Sequence, residues 1–380
     1  MNVDKPAGFT EKGMWMTASF SRAAGRARSL PAFSRAALAP IALSSLVALA
    51  ACSGDASSIV SPSTATSESR GRKVDTAVTA APVPTTTSGA ISAFVGALLW
   101  IDPNSNAKKT ADSWRLTRPA DATQMDKVAA GATARWMGNW NTNIQAEVDA
   151  AVTTIAGTGA LPLFVAYNIP QRDCGGLSGS STTTPDGYRN WITAFANGVG
   201  GRKAAVVLEP DALAAMDCLN AADQQQRIDL IKYAVQTFAA KGNISVYIDA
   251  GHPGWRSAST MASRLVSAGV SMAQGFSLNV SNFLLTSDNV TYGSQISALA
   301  GGKHFVVDTG RNGLGPTVDY QWCNPAGRAL GVRPTTATGN ALVDAFLWIK
   351  TPGESDGACN GAPAAGAWMP DYALGLASRS

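Results

Sequence analysis

Seven short apolar runs recur along the chain, and each gives way to polar residues. They are Leu98–Ile101 before Asp102, Leu163–Ala166 before Tyr167 and Asn168, Val206–Leu208 before Glu209, Val246–Ile248 before Asp249, Phe276–Leu278 before Asn279, Phe305–Val307 before Asp308, and Phe346–Ile349 before Lys350. A run such as Ala204–Leu208 is too short for a core helix and shows no alternation. It reads as a strand buried on both faces, whose next polar residues emerge where the chain leaves the sheet. On that reading Glu209 and Asp211 sit at a loop mouth. Between the runs lie stretches of helical period, the clearest placing Ile228, Ile231, Val235 and Phe238 on one face with Asn220 as a candidate cap. Strands alternating with helices predict an α/β fold with a parallel sheet. Polar residues gathered at successive strand ends predict chemistry at the C-terminal rim of a barrel.

Residues 91–380 carry this alternation without interruption, a length that one α/β barrel commonly uses, so they are predicted to form a single domain. The chain before them differs in kind. Arginines at 22, 26, 28 and 35 precede an uncharged stretch from Ala36 to Ala51, shorter than a comfortable membrane span, which predicts an export signal over residues 1–52. Leu49-Ala50-Ala51-Cys52 is similar to a bacterial lipobox, in which Cys52 is lipidated and becomes the new N-terminus; a plain secretory signal cut near Cys52 is the other reading. Residues 53–90 are rich in Ser, Thr, Ala and Pro with almost no large apolar side chain, the composition of a tether. The protein is therefore expected outside the cytoplasm, secreted or held to an envelope, and touching a membrane only through a lipid anchor.

The formal charge of +4 is misleading as a guide to partners. Of 30 Lys and Arg and 26 Asp and Glu, six basic and two acidic residues precede position 53, which leaves 24 of each sign downstream. A near-neutral chain lacks the basic face that displaces counterions from phosphates, which argues against nucleic acid. Beyond Cys52 four cysteines remain, 174, 218, 323 and 359, which permit three pairings in an exported chain. No CxxC spacing or histidine cluster points to a metal, and no Ser, His and acid grouping suggests a hydrolase triad.

Two segments carry the chemistry: VAYNIPQRDC at Val165–Cys174 and VVLEPDAL at Val206–Leu213. A lone Glu-Pro-Asp is an ordinary acidic turn, but Asp173 places a second carboxylate at the end of another strand. Together the segments resemble the two signature motifs of glycoside hydrolase family 6, the inverting endoglucanases and cellobiohydrolases that cut β-1,4-glucan. Val165, Tyr167, Pro170, Arg172, Asp173 and Cys174 fall where the first motif has them, and Leu208–Leu213 reproduces the second. Tyr247–Trp255, Asn279–Asn282, Asp308–Gly313, Trp322–Arg328 and Trp348–Gly357 agree in order, and the likeness runs from about Gly96 to Tyr372, with LLWIDPNSNA as the opening strand.

The resemblance implies a distorted, incompletely closed (β/α) barrel of about seven parallel strands, with disulfides Cys174–Cys218 and Cys323–Cys359. It makes Asp211 the general acid, its proton affinity raised by Asp173 if the two approach closely. The base is Asp356, or a relay that passes the proton of water towards Asp173. Tyr167 is implied beneath the sugar at the cleavage point, and Trp136, Trp255 and Trp322 as sugar platforms, although tryptophans are more often core. Arg172, Asp249, His252, Asn279, Lys350 and Glu354 are the implied polar partners of sugar hydroxyls, while Trp140, Trp191 and Trp348 read as core. Gly179 departs from the family, where a serine often helps hold the attacking water; Ser178 or Ser180 substitutes, or the loop differs. The expected partner is a β-1,4-glucan polymer or oligosaccharide, attacked in mid-chain by a monomer without cofactor or metal. A cellobiohydrolase, a hydrolase of mixed-linkage glucan or xylan, and a non-catalytic glucan-binding surface lipoprotein are the alternatives.

Overall fold

The computed structural model describes residues 91–177, 179 and 183–380. Residues 1–52, read as an export signal, residues 53–90, read as a tether, and Cys52, Ser178 and Ser180 lie outside the described residues. In chain order the elements are β1 (Leu98–Leu99), α1 (Asn106–Trp114), α2 (Pro119–Ala129), β2 (Arg135–Gly138), α3 (Ile144–Ala156), β3 (Ala160–Leu161), β4 (Leu163–Tyr167), α4 (Pro185–Val199) and β5 (Ala204–Leu208). Then follow α5 (Ala221–Ala239), β6 (Ile244–Asp249), α6 (Ala258–Ser267), β7 (Gly275–Leu278), α7 (Thr286–Leu299), β8 (His304–Asp308), β9 (Val343–Leu347) and α8 (Pro370–Ser378).

Seven strands form one parallel sheet in the order β2-β4-β5-β6-β7-β8-β9. The sheet curls until its first and last strands meet at a single place. Ala134 N donates to Trp348 O at 3.1 Å, beside an isolated parallel bridge between Thr133 and Trp348. This is an incompletely closed barrel, with its seven C-terminal strand ends on one rim.

Two expectations about the strands change. The run at Leu98–Ile101 does not enter the barrel, because Leu98 and Leu99 pair only with Ala160 and Leu161 in a separate two-stranded sheet. The opening strand is Arg135–Gly138, in register with Phe164–Tyr167. Its charged first residue and terminal glycine give no apolar run, so only the pairing reveals it. The last strand also lies earlier than Phe346–Ile349, at Val343–Leu347.

The double-sided burial inferred from the uninterrupted apolar runs has a direct cause. Phe164, Val206, Ile248, Phe276 and Phe305 face the helices, packing among Val148, Phe195, Phe238 and Leu265. Val165, Val207, Tyr247, Val306 and Ala345 fill the barrel interior, together with Ala93 and Phe94 from the segment before β1. Helix α5 begins as its sequence predicts: the Asn220 side chain accepts from Asp223 N at 3.0 Å, which satisfies one of the four orphan amides of a helix start.

The tightest contact in the sheet is at Gly275, where an added Cβ would lie 1.8 Å from His304 O on the neighbouring strand. Backbone cannot move aside there without breaking the ladder. Gly275→Ala should cost about 3 kcal/mol, the upper end for overpacking, read as a lowered urea midpoint with an unchanged m-value.

Candidate active site

The strand ends turn sharply. Gln171, Asp173 and Cys174 after β4, Glu209 and Asp211 after β5, and Asn279 and Ser281 after β7 all hold φ between 49° and 69°, in the left-handed region that side chains other than glycine avoid. Such strain persists only where surroundings over-determine it, and here the restraints are visible. The Cys174–Cys218 disulfide clamps the first loop. Arg227, projecting from α5, donates through Nη2 to Pro170 O at 2.9 Å and Gln171 O at 2.7 Å, and through Nη1 to Ala212 O at 3.3 Å. One buried guanidinium thus ties both motif loops together.

Glu209 is not at the mouth. It is 1% exposed, lying under the site with its carboxylate accepting from Asn168 N at 3.0 Å and Ile169 N at 3.1 Å. Burial pushes its pKa up to about 7 against those amides. Asp211 lines the cavity above, half-buried, and its backbone N donates to Asp249 Oδ1 at 3.0 Å. Loss of hydration is the largest cause lifting the Asp211 carboxyl well above the carboxylate range, and the charges of Asp249, Asp173 and Asp356 add to it. Asp211 therefore retains a proton where an ordinary aspartate does not.

Asp356 reaches the same cavity from the loop after β9. Its Oδ2 accepts from Arg311 Nη1 at 2.8 Å and Asn324 N at 2.9 Å, and its own N donates to Asn324 Oδ1 at 2.8 Å. Both side chains of the ion pair are nearly inaccessible, and the charge of Asp356 lifts the Arg311 pKa further against burial. The second disulfide, Cys323–Cys359, encloses this arrangement: Asn324 follows the first cysteine, and Asn360 Nδ2 donates to Cys323 O at 2.9 Å.

The cavity holds about 790 Å³ and gathers most of the expected residues: Asp173, Asp211, Asp356, Tyr167, Trp136, Arg172, His252, Trp255, Trp322, Lys350 and Glu354. Tyr167 packs edge-on to Trp136 at 5.2 Å, with the Arg172 guanidinium 4.3 Å from its ring. The Arg172 Nη1 donates to Tyr167 O at 2.6 Å. Burial lowers His252 to about 4, so its imidazole is neutral at ordinary pH. Burial likewise lowers Lys350, whose Nζ donates to Ser355 O at 2.9 Å, and raises Glu354.

Two expected sugar contacts are not on the cavity wall. Asp249 is 1% exposed and Asn279 is fully buried. Asp249 Oδ1 accepts from Asp211 N and Gly251 N and its Oδ2 from Ser277 Oγ, and burial raises its pKa to about 6. Asn279 donates to Leu284 O and Asp308 O. Both shape the wall from behind, because their hydrogen-bonding capacity is turned inward. Trp140 corrects the opposite way: read as core, it is 52% exposed and lines the cavity, whereas Trp348 is fully buried and Trp191 packs against the core. Arg227 and Arg311 escaped notice because an arginine in sequence does not announce a buried partner.

The raised carboxyls have a consequence for stability. Between about pH 4.5 and 7 the folded chain holds a proton on Glu209 that the unfolded chain has released. The native state then binds more protons, so stability contributed below pH 4.5 is lost as pH rises to 7. Urea midpoints measured across this window should fall, and Glu209→Gln should remove on the order of 3 kcal/mol of the stability lost across it, flattening the slope. An unchanged slope would mean the carboxylate is already ionised.

Residues 94–380 match the sequence model of a family described as glycosyl hydrolases family 6. The chain is 43% identical over 281 residues to Endoglucanase A of Cellulomonas fimi, covering 73% of this chain and 60% of that one. It is 41% identical over 286 residues to Endoglucanase 1 of Streptomyces halstedii, covering 72% of this chain and 86% of the relative. The structure is similar to that of the endoglucanase Cel6 from Mycobacterium tuberculosis in complex with methyl-cellobiosyl-4-deoxy-4-thio-β-D-cellobioside. The TM-score is 0.72 at 43% identity, over 76% of this chain and 98% of that one. The chain spans about three fifths of the length of the first curated relatives it matches, 60% and 61%.

Proposed function

The chain belongs to the glycosyl hydrolases of family 6, and from that membership we propose that it is an endo-β-1,4-glucanase that hydrolyses internal bonds with inversion. The observation that carries the reading is Asp211: a carboxyl kept protonated by burial and by three neighbouring acids, facing a cavity walled by tryptophans. Indole faces suit the apolar C–H face of a pyranose, and Lys350, Glu354 and His252 offer polar groups for its hydroxyl edge. A protein that only bound glucan would have no use for such an acid.

In the proposed reaction Asp211 gives its proton to the leaving oxygen as the glycosidic bond breaks, while water attacks the anomeric carbon from the opposite face. Tyr167, braced by Trp136 and Arg172, lies beneath the reacting sugar and favours its distortion. Asp356 accepts the proton of water directly, or the proton passes towards Asp173 while Asp356, anchored by Arg311, supplies negative charge. Asp211 regains a proton from solvent, and the base releases to solvent the one it took from water. We place this activity outside the cytoplasm, where the two disulfides persist. Leu49-Ala50-Ala51-Cys52 favours a lipid anchor, and nothing in the proposed chemistry needs a second subunit.

Asp211→Ala should lower turnover of cello-oligosaccharides by about 10²- to 10⁴-fold with binding largely kept, because the acid acts on the transition state. A substrate with a strongly acidic leaving group should lose far less, and near-normal turnover of ordinary glucan refutes the assignment. Added azide should restore turnover to whichever of Asp356→Asn and Asp173→Asn removed the base.

Endo action follows from the loops. The intervals Cys174–Cys218 and Cys323–Cys359 span 44 and 36 positions; the first holds α4 and β5, and the second holds β9 and the Trp348–Gly357 segment that carries Lys350, Glu354 and Asp356. Little chain remains to roof the cleft. Carboxymethyl-cellulose should lose viscosity steeply while few reducing ends form, and the first product from a β-linked oligosaccharide should be the α-anomer by NMR. Cellobiose release at constant viscosity would indicate exo action instead.

A further inference from the structure

Trp140 differs from the tryptophans that the fold buries. It follows the edge strand β2, and its six-membered ring rests directly on Gly138, where an added Cβ would fall 2.4 Å from it. Half of its surface remains open, with the Arg172 guanidinium 5.8 Å from the ring. A ring backed on one side by bare backbone and half exposed can serve as a platform. Beside it lies a second recess of about 500 Å³, and Trp136 and Trp140 line both this recess and the main cavity. None of the three cavity aspartates lines the recess.

Its wall is polar and already ordered. Asn141 Oδ1 accepts from Gly138 N at 2.8 Å, its Nδ2 donates to Glu147 Oε2, and Glu147 Oε1 accepts from Asn143 N at 3.0 Å. Arg135 lies alongside, and the exposed Ala150 and Thr154 of α3 complete the far side. The recess is walled by β2, the loop after it and α3, and the two tryptophans join it to the main cavity, so a linear polymer seated there can extend into it.

We propose that Trp140 and this recess form a distal subsite for a further glucosyl unit of a β-1,4-glucan already seated in the main cavity, an inference that rests on the glucanase reading above. The indole takes the C–H face of the sugar, and Asn141, Glu147 and Arg135 meet its hydroxyl edge. The site thereby favours longer chains.

The test is calorimetric binding of cellotriose and cellohexaose to the full chain in an Asp211→Asn background, which keeps the ligand intact. Cellohexaose should bind more tightly, Trp140→Ala should reduce that advantage about tenfold, and Trp140→Tyr should keep most of it. Ala150→Arg, which fills the recess from the helix side, should reduce the same advantage. An equal loss for both ligands in Trp140→Ala, with no effect of Ala150→Arg, overturns the proposal and leaves Trp140 as a wall of the main cavity. Turnover of carboxymethyl-cellulose by the unaltered chain tests the glucanase reading separately. If turnover is absent while the chain-length effect on binding persists, the activity falls and the subsite stands; no binding of either oligosaccharide removes both.

Discussion

Carboxylates crowded at the ends of buried parallel strands must find hydrogen-bond donors, and most of the rim is organised by that need. Glu209, at the end of β5, takes the amides of Asn168 and Ile169 from the loop after β4. Asp249, at the end of β6, takes the amide of Asp211 from the loop after β5. Asp308, at the end of β8, takes Ser281 N from the loop after β7 and Lys350 N from beyond β9, at 3.1 and 2.9 Å. Each buried acid therefore stitches its strand end to a neighbouring loop. The same shortage of water that makes these bonds necessary also raises the pKa of Asp211, so the architecture of the rim and the proton on the acid have one origin.

The stitching is costly to the backbone. Asp173 and Asp211 both sit at left-handed φ, a conformation worth roughly 1 kcal/mol or more of strain for each. The fold supplies compensation from outside the sheet. Arg227 on α5 gathers three carbonyls of the motif loops, and Arg264 on α6 donates to Leu213 O at 2.7 Å while pairing with Asp217 beside the first disulfide. These groups set side-chain direction. They act on the site by fixing loops rather than by reaching a ligand.

Openness is the second consequence of the topology. Because β2 and β9 meet only through residues 133 to 134 and Trp348, the wall between them is built of side chains, with Trp136 Nε1 donating to Ile349 O at 2.9 Å. The gap is there bridged by a side chain rather than by a strand ladder. Asp173, Asp211 and Asp356, held in the loops beyond β4, β5 and β9, line the cavity together with Trp136.

The sequence by itself located the five strands β4 to β8, because a strand covered on both faces needs an unbroken apolar run; it also put Asp173 and Asp211 beyond strand ends and Asn220 at a helix cap. Family motifs supplied the disulfide pairing that four cysteines alone left open. The tertiary structure decided what periodicity cannot carry. Arg135–Gly138 becomes a strand only through its register with β4, and Leu98–Leu99 is drawn into a separate pair. Asp249 and Asn279 look like rim residues in the chain, yet they face inward, since their amide and carbonyl partners come from loops distant in sequence. Trp140 and Trp348 are the same residue type, and only packing puts one on the cavity wall and the other in the core. Local patterns record burial along one segment, whereas the proton on Asp211 depends on burial and on three acids, Asp249 at the end of β6 and Asp173 and Asp356 in two other loops, and that meeting exists only once the sheet has curled.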